Sequence, residues 1–293
     1  DRGGNVVIPS FAVGRTQEML YFLRQIKQEQ RIHGHGDFEV YVDSPLAVEA
    51  TRIFRRQWEE CYDEQARALV EQGINPLNFE GLKLSVTSDD SKAINFDQRP
   101  KVILSASGMC EAGRIRHHLK HNLWRRDSTI LFVGYQSPGT LGRALVEGAK
   151  QVHLFGETIE VKAQIQVLAG VSGHADCDGL IRWAKGFQQN GLKQVFVTHG
   201  EDTVCDVFAN RLESQLGYQA TAPYNGAEYD LLSDVWLAEG NKERIQKNKQ
   251  GATQTPNPTY QRLVDVGNRM MALIQAEKGH PNKELAQLAS QLE

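Results

Sequence analysis

The sequence predicts an α/β protein: a parallel sheet with helices on both faces, then a smaller region of different texture, then a helical tail. Three observations predict it. Four apolar runs each pass through a short Gly, Ser or Pro turn into a helical pattern, and that alternation builds parallel sheets. After about residue 150 apolar and polar residues alternate, as antiparallel strands do. Beyond residue 236 the chain turns polar before two amphipathic stretches. The expected divisions are therefore 1–150, 151–235 and 236–293.

The elements follow in order. Asn5 to Pro9 is a β-branched run, and from Thr16, a candidate N-cap, Met19, Leu20, Phe22, Leu23 and Ile26 recur at helical spacing. Phe38 to Val42 is a strand, and Leu46 to Arg56 a helix with Pro45 near its first position. Lys101 to Leu104 is a strand, with a helix expected over 111–123. Ser128 to Tyr135 is a strand, with a short helix over 141–147. Residues 151–155, 157–163 and 164–168 alternate as antiparallel strands. A helix through Phe187, a strand ending at His199 and a helix from Thr203 to Leu216 come next. Residues 219–223 and 228–231 close this part. Glu239 to Pro258 reads as a linker, and 260–276 and 282–292 as helices.

Composition narrows the class. At 293 residues, with 40% hydrophobic and 24% charged residues, the chain has the make-up of a globular protein with a real core. No run of about 18 apolar residues appears, which excludes a transmembrane helix. The start, Asp1 to Pro9, is no signal peptide and leads straight into strand-like sequence, as a piece of a longer chain would. Cys61, Cys110, Cys177 and Cys205 are scattered without CxxC spacing, which points to idle thiols in a reducing, cytoplasmic compartment. The net charge of −3 carries no global nucleic-acid signature, so any basic surface is local.

The turns after the strands share a chemistry. Ser10 to Arg15, Asp43 to Pro45, Ser105 to Gly108 and Gln136 to Arg143 are rich in glycine and small hydroxyls. Such residues at a helix start expose backbone N–H groups, and the helix dipole favours an anion there. A structural turn explains any one of them. Together, on one sheet edge, they make a polyanion cradle in which Ser10, Arg15, Ser105, Ser107, Gly108, Gln136, Thr140, Gly142 and Arg143 are the candidate phosphate contacts. Arg114 to Arg126 is the one local basic concentration. It fits a helix that tracks a phosphate backbone and equally a solvated helix face. His117, His118 and His121 within it read as surface residues. His33-Gly34-His35-Gly36-Asp37 has the spacing of a metal motif, but it falls in a polar turn before a strand and reads as surface.

Two histidines stand in matching contexts, Ser172-Gly173-His174-Ala175-Asp176 and Val197-Thr198-His199-Gly200-Glu201. The second ends an apolar strand, which pins it and points it at the sheet's edge, where open α/β sheets place ligands. Neither holds a metal alone, because a catalytic zinc needs about three protein ligands.

These residues resemble a family. Gly3 to Glu18, Val42-Asp43-Ser44-Pro45-Leu46-Ala47, Ser105 to Met109, Gly134 to Arg143 and the two histidine motifs, in this order, are similar to the β-CASP branch of the metallo-β-lactamase superfamily. That branch includes the endonuclease subunit of the cleavage and polyadenylation complex, its bacterial and archaeal relatives, and RNase J. The resemblance implies a Rossmann-like β-CASP cassette plus the C-terminal part of a metallo-β-lactamase αββα domain, and covers residues 3 to about 231. It implies two zinc ions, with His199 as one ligand and His174 as general acid, and Asp176 and Glu201 as orienting partners of the rings. It implies single-stranded RNA as substrate. It also implies that the His-x-His-x-Asp-His half lies in cis before this chain, so that the chain alone is inactive and leaves the zinc site unfilled.

Two further readings stay open: a non-catalytic cassette that grips RNA or protein, and an unrelated nucleotide-binding enzyme. Against the last, no Gly-x-Gly-x-x-Gly follows the first strand and no Walker lysine appears. The tail helices fit either a homodimer contact or docking on the preceding half. No membrane partner is expected.

Overall fold

Apolar runs that are buried on both sides become central strands, and this chain supplies them in sequence. In the computed structural model, β1 (Val6–Pro9), α1 (Arg15–Gln28), β2 (Glu39–Asp43), α2 (Pro45–Arg56), α3 (Trp58–Cys61), α4 (Glu64–Glu71), β3 (Leu82–Ser85) and α5 (Ser88–Phe96) come first. They are followed by β4 (Lys101–Ser105), α6 (Ile115–Asn122), β5 (Thr129–Phe132), α7 (Leu141–Val146), β6 (Gln151–Leu154), β7 (Glu157–Glu160) and β8 (Gln164–Val167). Then come α8 (Cys177–Lys185), β9 (Val195–Phe196), α9 (Asp202–Leu216), β10 (Ala220–Thr221), β11 (Asn225–Asp230), β12 (Val235–Asn241) and α10 (Pro258–Ala276). The structure describes residues 2–170, 173–243 and 258–276, with isolated positions at 286, 289 and 290. The chain forms two compact units, Asp1–Val171 with Gln254–Glu293, and Ser172–Thr253. No described helix is long and apolar enough to cross a membrane.

The first unit is built on a six-stranded sheet in the order β3-β2-β4-β1-β5-β8, every neighbouring pair parallel. One face packs α1 and α2 through Met19, Leu20, Leu23, Ala47 and Val48 onto Ile8, Val40, Val42 and Leu104. The other packs α6 and α7 through Ile115, Leu119, Leu123 and Leu145 onto Val7, Ile103, Ile130 and Phe132. The expected parallel sheet with helices on both faces is what folds.

Several elements differ from the expectations. Residues 164–167 were expected in an antiparallel strand, but β8 lies parallel to β5, with Ile165 opposite Ile130. Alternating burial marks a sheet-edge strand of either sense, and it misled here. Only β6 and β7 form the expected antiparallel hairpin. The helix expected from 111 starts at Ile115, because the chain first folds back on itself: Ile115 N–H reaches Ala106 O at 3.3 Å and Ser107 N–H reaches Ala112 O at 3.1 Å. Gly113 permits this turn at φ 82°, and a Cβ there would meet Ala106 O at 2.5 Å. Thr16 is not an N-cap; its hydroxyl donates to Phe11 O at 2.7 Å, and Gly14 occupies the cap position of α1. The elements α3, α4, β3 and α5 were not foreseen.

The second unit carries a two-stranded parallel ladder of β9 and β10, with Val195 opposite Ala220 and Phe196 opposite Thr221. Helices α8 and α9 pack through Ala184, Ala209 and Leu212 with Tyr218 and Ala220. An antiparallel hairpin of β11 and β12 follows. It extends through Asn241, so the start of the expected linker at Glu239 is strand. The helix expected over 260–276 is present as α10, whereas that over 282–292 falls largely outside the described residues.

Candidate functional site

The strand order places a crevice before any side chain is considered. Next to each other, β1 and β4 send their chains in opposite directions, to α1 on one face and α6 on the other. In open α/β sheets ligands bind outside the carboxyl ends of the strands at such a switch point. The loops 10–14 and 106–114 leave the sheet there, beside those after β2 and β5. These are the four turns singled out by composition.

The loops are tied together by a continuous set of hydrogen bonds. Ser10 N–H donates to Ser105 O at 3.0 Å, and the Ser10 hydroxyl lies 2.8 Å from the Thr16 hydroxyl. Thr16 spends its own proton on Phe11 O, so Ser10 is the donor to it. The Ser105 hydroxyl donates to Asp43 O at 2.9 Å. Both serines are buried, and their hydroxyls act inside the fold. Ser107 Oγ receives Ala112 N–H at 3.4 Å. Gln136 Nε2 donates to Gly108 O at 3.0 Å, while its Oε1 is buried without a partner. Gly142 makes room for that amide, since a Cβ there would lie 1.8 Å from Gln136 Oε1. Thr140 caps α7 by accepting Arg143 N–H at 3.2 Å. Arg143 Nε binds Glu147 at 2.6 Å, and Arg15 pairs with Glu18. The nine proposed phosphate contacts thus sit together on one edge, but most of their side chains shape the loops. Many of the loop N–H groups are bonded within the fold, as at residues 10, 15, 107 and 140–143, and the edge exposes two aromatic rings, Phe11 (51% exposed) and Tyr135 (62% exposed). Composition alone did not single these out; an aromatic inside a Gly/Ser loop was the available signal.

Beneath this edge lies a charged knot. Asp43, at the end of β2, is fully buried, and its Oδ1 accepts from Ser85 at 2.6 Å and from Arg114 at 2.8 Å. Its Oδ2 accepts from Ser91 at 2.6 Å and faces His118 Nε2 at 2.7 Å. His118 Nδ1 faces Asn95 Oδ1 at 2.8 Å. Burial alone would raise the Asp43 pKa, but the hydrogen bonds from His118, Ser85 and Ser91 outweigh it and hold the carboxyl well below the usual range. Arg114 also donates to Val86 O at 2.8 Å, so it staples the loops after β2 and β3.

This corrects two expectations. His118 is a buried structural residue, not a surface one. The segment 114–126 is not an open basic face: Arg114 binds Asp43, Lys120 binds Glu157, Arg125 binds Asp127, and Arg116 lies over the Phe155 ring. Arg114 is committed inside the fold, whereas Lys120 and Arg125 pair at its surface. The turn at His33, His35 and Asp37 is exposed, as expected.

The second unit holds the histidine pair. His199 follows β9, which is held by Val195 N–H to Gln219 O at 2.8 Å and Val197 N–H to Thr221 O at 2.9 Å. It takes the left-handed conformation, φ 64°, which is uncommon for a residue other than glycine but one that histidine adopts more readily than most. Gly200 lets the chain turn tightly, since a Cβ there would lie 2.6 Å from Cys205 Sγ on α9. His199 is exposed, as is His174, three residues before α8. Asp176 caps α8 by accepting Gly179 N–H at 2.7 Å. Glu201 occupies the cap position of α9 without a side-chain cap bond. Neither imidazole is sealed in apolar packing. Among the described residues, no group of three or more His, Cys, Asp or Glu side chains could hold a metal ion. The donor set of these residues does not fit a complete zinc centre, which takes about three protein ligands.

Comparison with known proteins locates these features. Residues 16–145 match the Beta-Casp domain, and residues 158–223 match the Zn-dependent metallo-hydrolase RNA specificity domain. The chain is 37% identical over 203 residues to Ribonuclease TTHA0252 of Thermus thermophilus, covering 69% of this chain and 44% of the relative. It is 35% identical over 231 residues to Transcription termination factor FttA of Methanocaldococcus jannaschii, covering 77% of this chain and 35% of the relative. It is 30% identical over 226 residues to an RNase J-like protein of the same organism, covering 77% and 50%. The chain therefore spans half or less of the length of these relatives.

Proposed function

We propose, from the premise that this chain belongs to the β-CASP family of metallo-β-lactamase-type nucleases, that the whole protein's activity is zinc-dependent hydrolysis of RNA phosphodiester bonds. The observation that carries this reading is the exposed pair His174 and His199, both inside the stretch that matches the RNA specificity domain. His199, at a strand end with its backbone fixed, is suited to ligate one metal ion. His174 is suited to donate a proton to the leaving sugar oxygen, a role open to an imidazole with access to solvent. Asp176 and Glu201 are proposed to orient the two rings. Zinc, when bound, would polarise the phosphodiester. The other ligands are assigned to a metallo-β-lactamase half in cis, in keeping with relatives of which the matched residues cover half or less. The switch-point edge is proposed to grip single-stranded RNA through the exposed rings of Phe11 and Tyr135.

The test uses the purified 293-residue chain and 5′-labelled single-stranded RNA with added zinc. The expected result is salt-dependent RNA binding, no cleavage and fewer than two tightly held zinc ions. Cleavage with two bound zincs would overturn the division of labour, and absence of RNA binding at low salt would overturn the grip. A second reading, a binding cassette without catalysis, is favoured by the lack of a three-ligand group among the described residues. A longer protein containing this chain that binds RNA but never cleaves it with zinc would select that reading.

A further inference from the structure

We infer that a cavity at the C-terminal end of α2 binds a phosphorylated nucleoside, free or as one unit of an RNA strand. The cavity measures about 590 Å³, within the roughly 300–1,000 Å³ of small-molecule sites. Arg55 and Arg56 from the last turn of α2 line it with Arg52 just before that turn, Trp58 at the start of α3 and Tyr62 just after it. Among the described residues, no carboxylate lines it. Arg52 is met by Glu49 at 3.1 Å, whereas Arg55 and Arg56 have no hydrogen bond or ion pair among the described residues.

Three guanidinium groups within one helical turn repel each other, and an anion between them removes that cost. Guanidinium is also the group whose fork matches phosphate oxygens. Tyr62 adds an independent sign: its hydroxyl oxygen is buried and has no hydrogen-bond partner. A buried orphan hydroxyl is costly, and native structures rarely keep one without a use. Burial raises the phenol pKa, so the group remains a donor for a phosphate or ribose oxygen. The half-buried Trp58 ring supplies what a bare phosphate site lacks, a π face on which a base can stack. Arg55 lies ten residues beyond Pro45, about 15 Å along the helix, so this cavity is separate from the switch-point loops. It stands whether or not the hydrolytic reading holds.

The experiment titrates the 293-residue chain with AMP, with inorganic phosphate and with a short oligouridylate, by calorimetry. AMP, the oligonucleotide or both should bind saturably, and phosphate more weakly. The double variant Arg55→Ala/Arg56→Ala should lose at least tenfold in affinity with an unchanged melting temperature, because both side chains are exposed. Tyr62→Phe should lose a few-fold. Tighter binding of AMP marks a free nucleotide as the occupant, and tighter binding of the oligonucleotide marks RNA. The inference is overturned if neither binds, if phosphate alone binds as well as AMP, or if the arginine variant binds like wild type.

Discussion

Asp43→Asn is the sharpest perturbation of the scaffold under the switch point. The substitution keeps size and shape but turns one acceptor oxygen into an N–H donor. If the amide nitrogen takes the Oδ1 place it faces Ser85 and Arg114, and in the Oδ2 place it faces Ser91 and His118. The serine hydroxyls can rotate to accept, and the His118 ring can accept at Nε2 with its proton on Nδ1 facing Asn95 Oδ1; Arg114 can only donate, so the amide nitrogen takes the Oδ2 place. The bonds to Oδ1 then lose their charge assistance, which is worth about 1.5–3 kcal/mol for a bond to a charged group. Arg114, only 22% exposed, also loses its counter-ion, and breaking a buried ion pair from one side costs about 3–5 kcal/mol in all. In a unit of this size each kcal/mol lowers Tm by about 2–4 °C, so a drop of roughly 10 °C is expected. Circular dichroism and calorimetry on the purified chain measure it, with exposed Asp37→Asn as a control that should shift little. A drop under 2 °C for Asp43→Asn would refute the assignment of this knot as the fastener of the loops.

Three further outcomes follow from the same geometry. Because the folded-state pKa of Asp43 is depressed, its contribution is full above the ordinary carboxylate pKa of about 3.9 and fades as pH falls below it. The stability gap between wild type and Asp43→Asn should therefore narrow in melts taken below about pH 4, and a gap constant down to pH 2 would contradict this. Gly113→Ala places a Cβ 2.5 Å from Ala106 O at φ 82°; it should cost about 2 kcal/mol or more, read by urea unfolding, and an unchanged midpoint would contradict the turn. Phe11→Ala should weaken binding of short single-stranded RNA by roughly ten- to a hundredfold, the worth of about 1–3 kcal/mol for one stacked base. Unaltered affinity in a filter-binding or anisotropy assay would remove this ring from the interface.

The parallel sheet was legible because its central strands are continuous apolar runs, as at Val102 to Leu104, bounded by Gly and Ser turns. The switch-point loops were legible for the same reason. Less legible was the sense of the edge strand: Gln164 to Val167 alternates whether its neighbour runs parallel or antiparallel, and only the pairing with Thr129 to Phe132 decides. The basic segment misled because charge counts ignore partners. Arg114 looks like a surface cation until Asp43, 71 residues away in sequence, is seen to bind it. His118 likewise looks like its neighbour His117, yet one is buried on Asp43 and the other stacks on Phe155 near the surface. The cavity of Arg55, Arg56 and Tyr62 gave no motif, because its walls come from helix ends brought together by folding.

The role of the histidine pair is tested most directly by measuring zinc content and RNA cleavage together in a protein that joins this chain to the metallo-β-lactamase half proposed above. His199→Ala should lose bound zinc and cleavage alike. His174→Ala should keep its zinc and lose the cleavage rate. Retention of both zinc ions and full rate by His199→Ala, or loss of zinc by His174→Ala, would contradict the assignment of ligand and proton donor.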